Sequence, residues 1–211
     1  MLRTRIKSNP LLRLRFAAAQ LAWLSLVVSG FCCLISYEMR AGSSAVAPGE
    51  WPADVNLKFD PLRHNLVMFA HPKCPCTDAS LKELRNVLAQ ARGAINPTII
   101  FFKPAGTRSD WEQTDLFRNA MSTSGLNVVI DPDGFIAGKF GARTSGQVML
   151  FDGRGHCVFT GGITGSRGQE GDNRGCALLL ARTIGDVGGL AETPVYGCAL
   201  DKTKVSTVET L

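Results

Sequence analysis

The chain has 211 residues, 45% hydrophobic and 19% charged, a balance that excludes a disordered or collagen-like polypeptide. Its formal net charge of +5 resides in Arg3, Arg5, Lys7, Arg13 and Arg15, which leaves 18 basic against 18 acidic side chains from residue 16 onward. A charge-balanced remainder with no long basic run offers no phosphate-binding surface, so nucleic acid is set aside as a partner.

Residues 1–15 read as a basic cytoplasmic N-terminus. Phe16 to Ser36, FAAAQLAWLSLVVSGFCCLIS, follow as 21 residues without a charge. As a helix this run spans roughly 30 Å, the thickness of a bilayer core. Signal peptides that are cleaved have apolar regions of about 7 to 15 residues, so 16–36 reads as an uncleaved transmembrane signal anchor. Ala45-Val46-Ala47 has the form of a cleavage site but lies far from the apolar run. The basic flank places the N-terminus in the cytoplasm and the remaining chain outside it, on the periplasmic or extracytoplasmic side of the cytoplasmic (inner) membrane. Cys32 and Cys33 read as small members of the membrane helix.

Residues 37–50 read as a linker, because AGSSAVAPGE is small, polar and aperiodic. One domain is expected over 51–199, with a tail at 200–211. Leu66 to Ala70 reads as a strand, followed by the turn HPKCPCT. A helix comes next, in which Leu81, Leu84, Leu88 and Ala91 share a face and Gly93 supplies the stop. Thr98 to Phe102 reads as a buried strand. Ser109-Asp110-Trp111-Glu112 has capping-box spacing and predicts a second helix reaching Ser122. Val128 to Ile130 reads as a strand closed by Asp131-Pro132-Asp133-Gly134, and Gln147 to Phe151 with Cys157 to Thr160 as a hairpin. Asp172 or Asn173 caps a last helix to about Ile184. The order β-α-β-α-β-β-α implies an α/β domain with a central mixed sheet and helices on its faces.

Cys74, Cys76, Cys157, Cys176 and Cys198 lie outside the apolar run. Cys74-Pro75-Cys76 falls between the first strand and the first helix, where free N–H groups and the helix dipole stabilise a thiolate. Lys73 and His71 stand beside it. Two cysteines one residue apart close a disulfide only in a tight, strained ring, which is easily reduced. The same residues also allow inert packing or a closed bridge, and Cys74, Cys76 and His71 allow a soft-metal (copper) site. Cys198, in the irregular stretch TPVYGC, is either a resolving thiol or structural. Cys157 and Cys176 read as buried small hydrophobes, with a mutual disulfide as the alternative. The loop Gly161 to Gly175, containing Arg167 and Arg174, lacks the phosphate-loop pattern and reads as a demanding turn beside the site.

The order of elements, the cysteine turn and NVVIDPDGFIAGKFGARTSGQVMLFDGRGHCVFTGGIT resemble the thioredoxin-like superfamily. Within it the membrane-anchored thiol–disulfide oxidoreductases are most similar. HPKCPCT, SGQ, GGITGSRGQEGDNRG and TPVYGC also resemble the bacterial thioredoxin-domain proteins labelled RedB. The resemblance implies a three-layer thioredoxin-like fold behind one transmembrane helix, no cofactor, and protein thiols or disulfides as partners. It makes Cys74 the attacking thiol, Cys76 or Cys198 its resolving partner, and Ser145, Gly146 and Gln147 substrate-binding residues. Two departures stand out: the second cysteine of the family's Cys-x-x-Cys falls on Thr77, and its cis-proline falls on Gly146. A redox-silent scaffold and the copper-binding module remain as alternatives.

Overall fold

In a computed structural model of the protein, residues 10–185 and 188–200 are described. Arg3, Arg5 and Lys7 of the basic start and the tail beyond Leu200 lie outside them. Pro10–Glu38 form one helix, α1, of 29 residues. It begins on a proline, whose fixed φ and missing N–H suit the first helical position. Within it a window of mean hydropathy 1.9 makes the helix long and apolar enough to cross a membrane. The chain divides into two units, one ending at Met39 and one starting at Arg40.

In the second unit the elements are β1 (His64–Ala70), α2 (Cys76–Ala91), β2 (Ile95–Lys103), α3 (Asp115–Met121), β3 (Asn127–Pro132), α4 (Phe135–Phe140), β4 (Gln147–Phe151), β5 (Cys157–Gly161), α5 (Arg174–Thr183) and β6 (Ala191–Glu192). The strands form one sheet in the order β3-β2-β1-β4-β5-β6. β1 runs parallel to β2 and antiparallel to β4, with Val67 opposite both Thr98 and Met149. The period of two along β1 then sorts its side chains: Leu66, Met68 and Ala70 join one core, Val67 and Phe69 the other.

The first core is closed by Leu81, Leu84 and Val87 of α2, Phe117 of α3 and Leu179 of α5. The second is closed by Ala137 and Phe140 of α4, by Leu200, and by Trp51. The Trp51 ring meets Phe59, Phe140 and Phe151 edge-on at 5.2–5.3 Å, a favourable aromatic geometry. These are the three layers the resemblance implies.

Residues 41–50 do not hang free as the composition suggested. Gly42 N–H donates to Val195 O at 2.8 Å, Ala45 N–H to Gly141 O at 3.2 Å, and Glu50 bridges to His156. These are backbone contacts, which small side chains permit and no hydrophobic period announces. The helix expected from Ser109 begins instead at Asp115, with Thr114 as its cap. Glu112, expected in a capping box, is buried and pairs with Lys103 at 2.6 Å, so its carboxylate is not available to a helix N-terminus. Helix α4 has no side-chain cap at Gly134; the Asp131 carboxylate accepts the N–H groups of Ile136 and Ala137 at 2.8 and 2.9 Å instead.

Candidate active site

The turn between β1 and α2 begins at His71 and is closed by Cys74 N–H donating to His71 O at 3.0 Å. Cys76 is the first residue of α2, and Thr77 N–H donates to Cys74 O at 3.2 Å. Cys74 is 3% exposed, while Cys76 is half-buried.

The C-terminal stretch lies against this turn. Ala199 bridges antiparallel to Thr144, Ser145 N–H donates to Cys198 O at 2.8 Å, and Leu200 N–H to Arg143 O at 2.9 Å. This pairing brings Cys198 onto Cys74. Burial pushes the Cys74 thiol up, but hydrogen bonds from the side chains and backbones of Cys198 and Thr77 outweigh it, and its pKa falls below the ordinary cysteine value. The Cys198 thiol is pushed up to about 12 by burial and by the Cys74 sulfur it bonds. When the pair loses a proton, Cys74 therefore gives it up first and Cys198 keeps its own. Cys76 is raised by burial and by the neighbouring Cys74 charge, against the pull of the Arg167 guanidinium.

The Thr77 hydroxyl is itself held. Ser145 Oγ accepts the His71 N–H at 2.7 Å and lies 2.6 Å from Thr77 Oγ1. With Ser145 donating to Thr77 and Thr77 to Cys74, the chain of donors ends at the thiolate, and each bond polarises the next. Thr77 and Ser145 are fully buried. Gly146 has φ +90° and donates its N–H to Phe69 O at 2.7 Å, and no peptide bond among the described residues is cis. Gln147 is buried at the start of β4, with Oε1 accepting the Arg143 N–H at 3.3 Å.

The structure thus brings Cys74, Cys76, Cys198 and Ser145 together. His71 turns its ring to Phe102 and Trp111, and its Nδ1 accepts the Lys73 N–H. Among the described residues no group of three or more His, Cys, Asp or Glu side chains is arranged to hold a metal ion. Cys157 and Cys176 fall on opposite faces of the sheet, one packed on each core, so they do not bridge each other. Burial pushes both thiols up to about 11.

Two contributors went unread in the sequence. Thr77 was visible only as the position where a second cysteine was missing. Arg167 lay in the glycine-rich loop: its Nη1 donates to Gly197 O at 2.7 Å and its Nη2 to Arg40 O at 3.3 Å. The glycines have a related purpose. A Cβ on Gly162 would stand 2.6 Å from Pro194 O, and one on Gly161 would collide with Thr193, so the C-terminal stretch passes only because both lack side chains.

No protein-family model matches the sequence, and no curated protein matches it. Among solved structures the chain is similar to an uncharacterized conserved protein from Geobacillus kaustophilus, at 17% identity over 77% of this chain and 96% of the other, with a TM-score of 0.57. It is also similar to the hypothetical protein SMc02350 from Sinorhizobium meliloti 1021, at 20% identity over 77% and 94%, with a TM-score of 0.53. A secreted Mycobacterium tuberculosis disulfide oxidoreductase homologous to E. coli DsbE matches at 13% identity over 60% and 83%, with a TM-score of 0.42. The fold is thioredoxin-like: a β1-α2-β2 unit carrying cysteines at its first turn, then the antiparallel pair β4-β5, then α5 packed beside α2.

Proposed function

We propose that this protein is a membrane-anchored thiol–disulfide oxidoreductase with Cys74 as its attacking thiolate. The observation that carries the reading is the convergence on one sulfur: Thr77 and Cys198 each direct side-chain and backbone hydrogen bonds at Cys74. Donors gathered on a thiolate make it the first of the cysteines to ionise, and the thiolate is the nucleophile. Residues 16–36, within α1, form the anchor. The basic residues before them set the N-terminus inside and the domain outside, where disulfides persist.

The chemistry is exchange. The Cys74 thiolate attacks one sulfur of a partner disulfide, forming a Cys74–partner bond and releasing the other partner sulfur as a thiolate, which takes up a proton. A second thiol of this chain loses its proton and attacks the Cys74 sulfur, expelling the remaining partner thiolate. Two electrons pass from the two cysteine thiols to the partner disulfide; run backward, the same steps oxidise a partner dithiol. Cys198 and Cys76 both lie within reach of Cys74.

The test traps the intermediate. A Cys76→Ser, Cys198→Ser double variant incubated with a disulfide-bonded polypeptide should accumulate a mixed disulfide visible by non-reducing electrophoresis, and adding Cys74→Ser should abolish it. Full exchange activity in Cys74→Ser alone would sink the assignment.

A further inference from the structure

We propose that residues 197–200 occupy the docking strand of a partner polypeptide, and that this partner presents its cysteine in an extended segment with glycine immediately before it. The inference rests on the oxidoreductase reading and names the substrate class of that site. Cys74, the sulfur toward which the donors converge, is 3% exposed. No polypeptide sulfur reaches it while Cys198 is seated on it. Yet the chain's own segment displays how such a sulfur would arrive.

The segment pairs with residues 143–145 through one antiparallel bridge, Thr144 to Ala199, flanked by Ser145 N–H to Cys198 O and Leu200 N–H to Arg143 O. Backbone pairing of this kind accepts any sequence, and the pockets for its side chains supply selection. Here selection has two elements. A Cβ on Gly197 would collide with the Ser145 carbonyl oxygen, so the position before the cysteine admits glycine. Leu200, two residues after the cysteine, is 3% exposed within the second core, so that position rewards an apolar side chain. Arg167 Nη1 reads the carbonyl of the glycine at 2.7 Å. A partner Gly-Cys-x-apolar segment reproduces all of these contacts and must displace the resident one, so the C-terminal stretch also keeps unselected thiols from Cys74.

The test uses the full-length protein in detergent micelles and a chain ending at Tyr196. The probe is a fluorescein-labelled peptide of residues 194–200 carrying Cys198→Ser, and a second peptide carries Gly197→Ala in addition. By fluorescence anisotropy the shortened chain should bind the glycine peptide about tenfold or more tighter than the full-length protein does, since two or three hydrogen bonds of resident competition are removed. It should bind the alanine peptide about tenfold or more weakly than the glycine peptide. Equal affinity of the shortened chain for the two peptides, or of the two chains for the glycine peptide, overturns the proposal. If the shortened chain does not fold, full-length Gly197→Ala replaces it and must show the same gain in glycine-peptide binding. Neither peptide carries a sulfur. Binding retained without thiol exchange therefore strikes only the oxidoreductase reading, and exchange retained without selective binding strikes only this one.

Discussion

Ser145 Oγ lies 2.6 Å from Thr77 Oγ1, and through this contact the loop before β4 reaches the first turn of α2 and the Cys74 sulfur. Both hydroxyls are fully buried, where an unpaired polar group is costly, so each is fixed by its partner. The surroundings of the Cys74 sulfur are thus set from three directions: the helix start, the Ser145 loop and the C-terminal stretch.

Removing the middle member exposes this dependence. Thr77→Val keeps the side-chain volume and deletes the donor, and hydrogen bonds to charged groups contribute about 1.5–3 kcal/mol. The thiolate fraction of Cys74 near neutral pH should fall about tenfold or more. The sign is fixed by the direction of the native shift. A lowered pKa keeps Cys74 ionised down to a lower pH than an ordinary thiol, and the variant loses its thiolate at a higher pH. Thiolate ultraviolet absorbance against pH measures this, and superimposable curves for the two proteins would refute the role given to Thr77.

Oxidation by a stoichiometric disulfide should yield Cys74–Cys198 as the main internal bridge, mapped by mass spectrometry after thiol blocking and digestion. Cys76 is near, but a ring spanning one intervening residue is strained. Cys198 is held at about 12 by burial and by the Cys74 charge. Once Cys74 is in a mixed disulfide its charge is gone, the Arg167 guanidinium remains, and Cys198 ionises more readily. A map dominated by Cys74–Cys76 would transfer the resolving role to Cys76.

Arg167→Gln removes the guanidinium whose charge and hydrogen bond pull the Cys76 pKa down, together with the donor to Gly197 O. Charge and hydrogen bonding both favour the thiolate, so the variant should need a higher pH to alkylate Cys76, with the rate at neutral pH down by about three- to tenfold. A purely structural role for Arg167 would lower stability and leave the pH profile of Cys76 alkylation in place.

How much of this was legible depended on where the information is carried. Helix α2 was readable because Leu81, Leu84 and Ala91 are buried at helical spacing, and the sheet because β1 and β4 are short apolar runs. The cysteine turn followed from both. The bridged segment at 197–200 was not readable, since its contacts are backbone hydrogen bonds to residues some fifty positions earlier and its key side chain is a missing one, at Gly197. The same holds for residues 41–50. The error at Ser109 had a different source: capping-box spacing is a local signal, and the buried Lys103–Glu112 pair is a tertiary contact that overrode it.

Stability of the reduced protein should decline as the pH rises through the alkaline range, for a reason separate from the active site. Cys157 and Cys176 pack against opposite cores, and burial raises both from 9.0 to about 11. A group whose folded pKa is raised stabilises the fold fully below its unfolded pKa, and this contribution is lost as pH climbs through the folded value. For both thiols the loss begins near about pH 9 and is complete beyond about pH 11. Cys74 has the opposite sign, since its lowered pKa stabilises at alkaline pH and that stabilisation disappears on acidification. The two effects separate by substitution. Cys157→Val and Cys176→Val together remove the ionisable sulfurs while keeping apolar volume, so the urea midpoint of the double variant should fall less between pH 9 and 11 than that of the wild type. Lysine and tyrosine titration is common to both proteins and cancels in the comparison. An identical decline in the two would mean that these thiols reach water in the folded state.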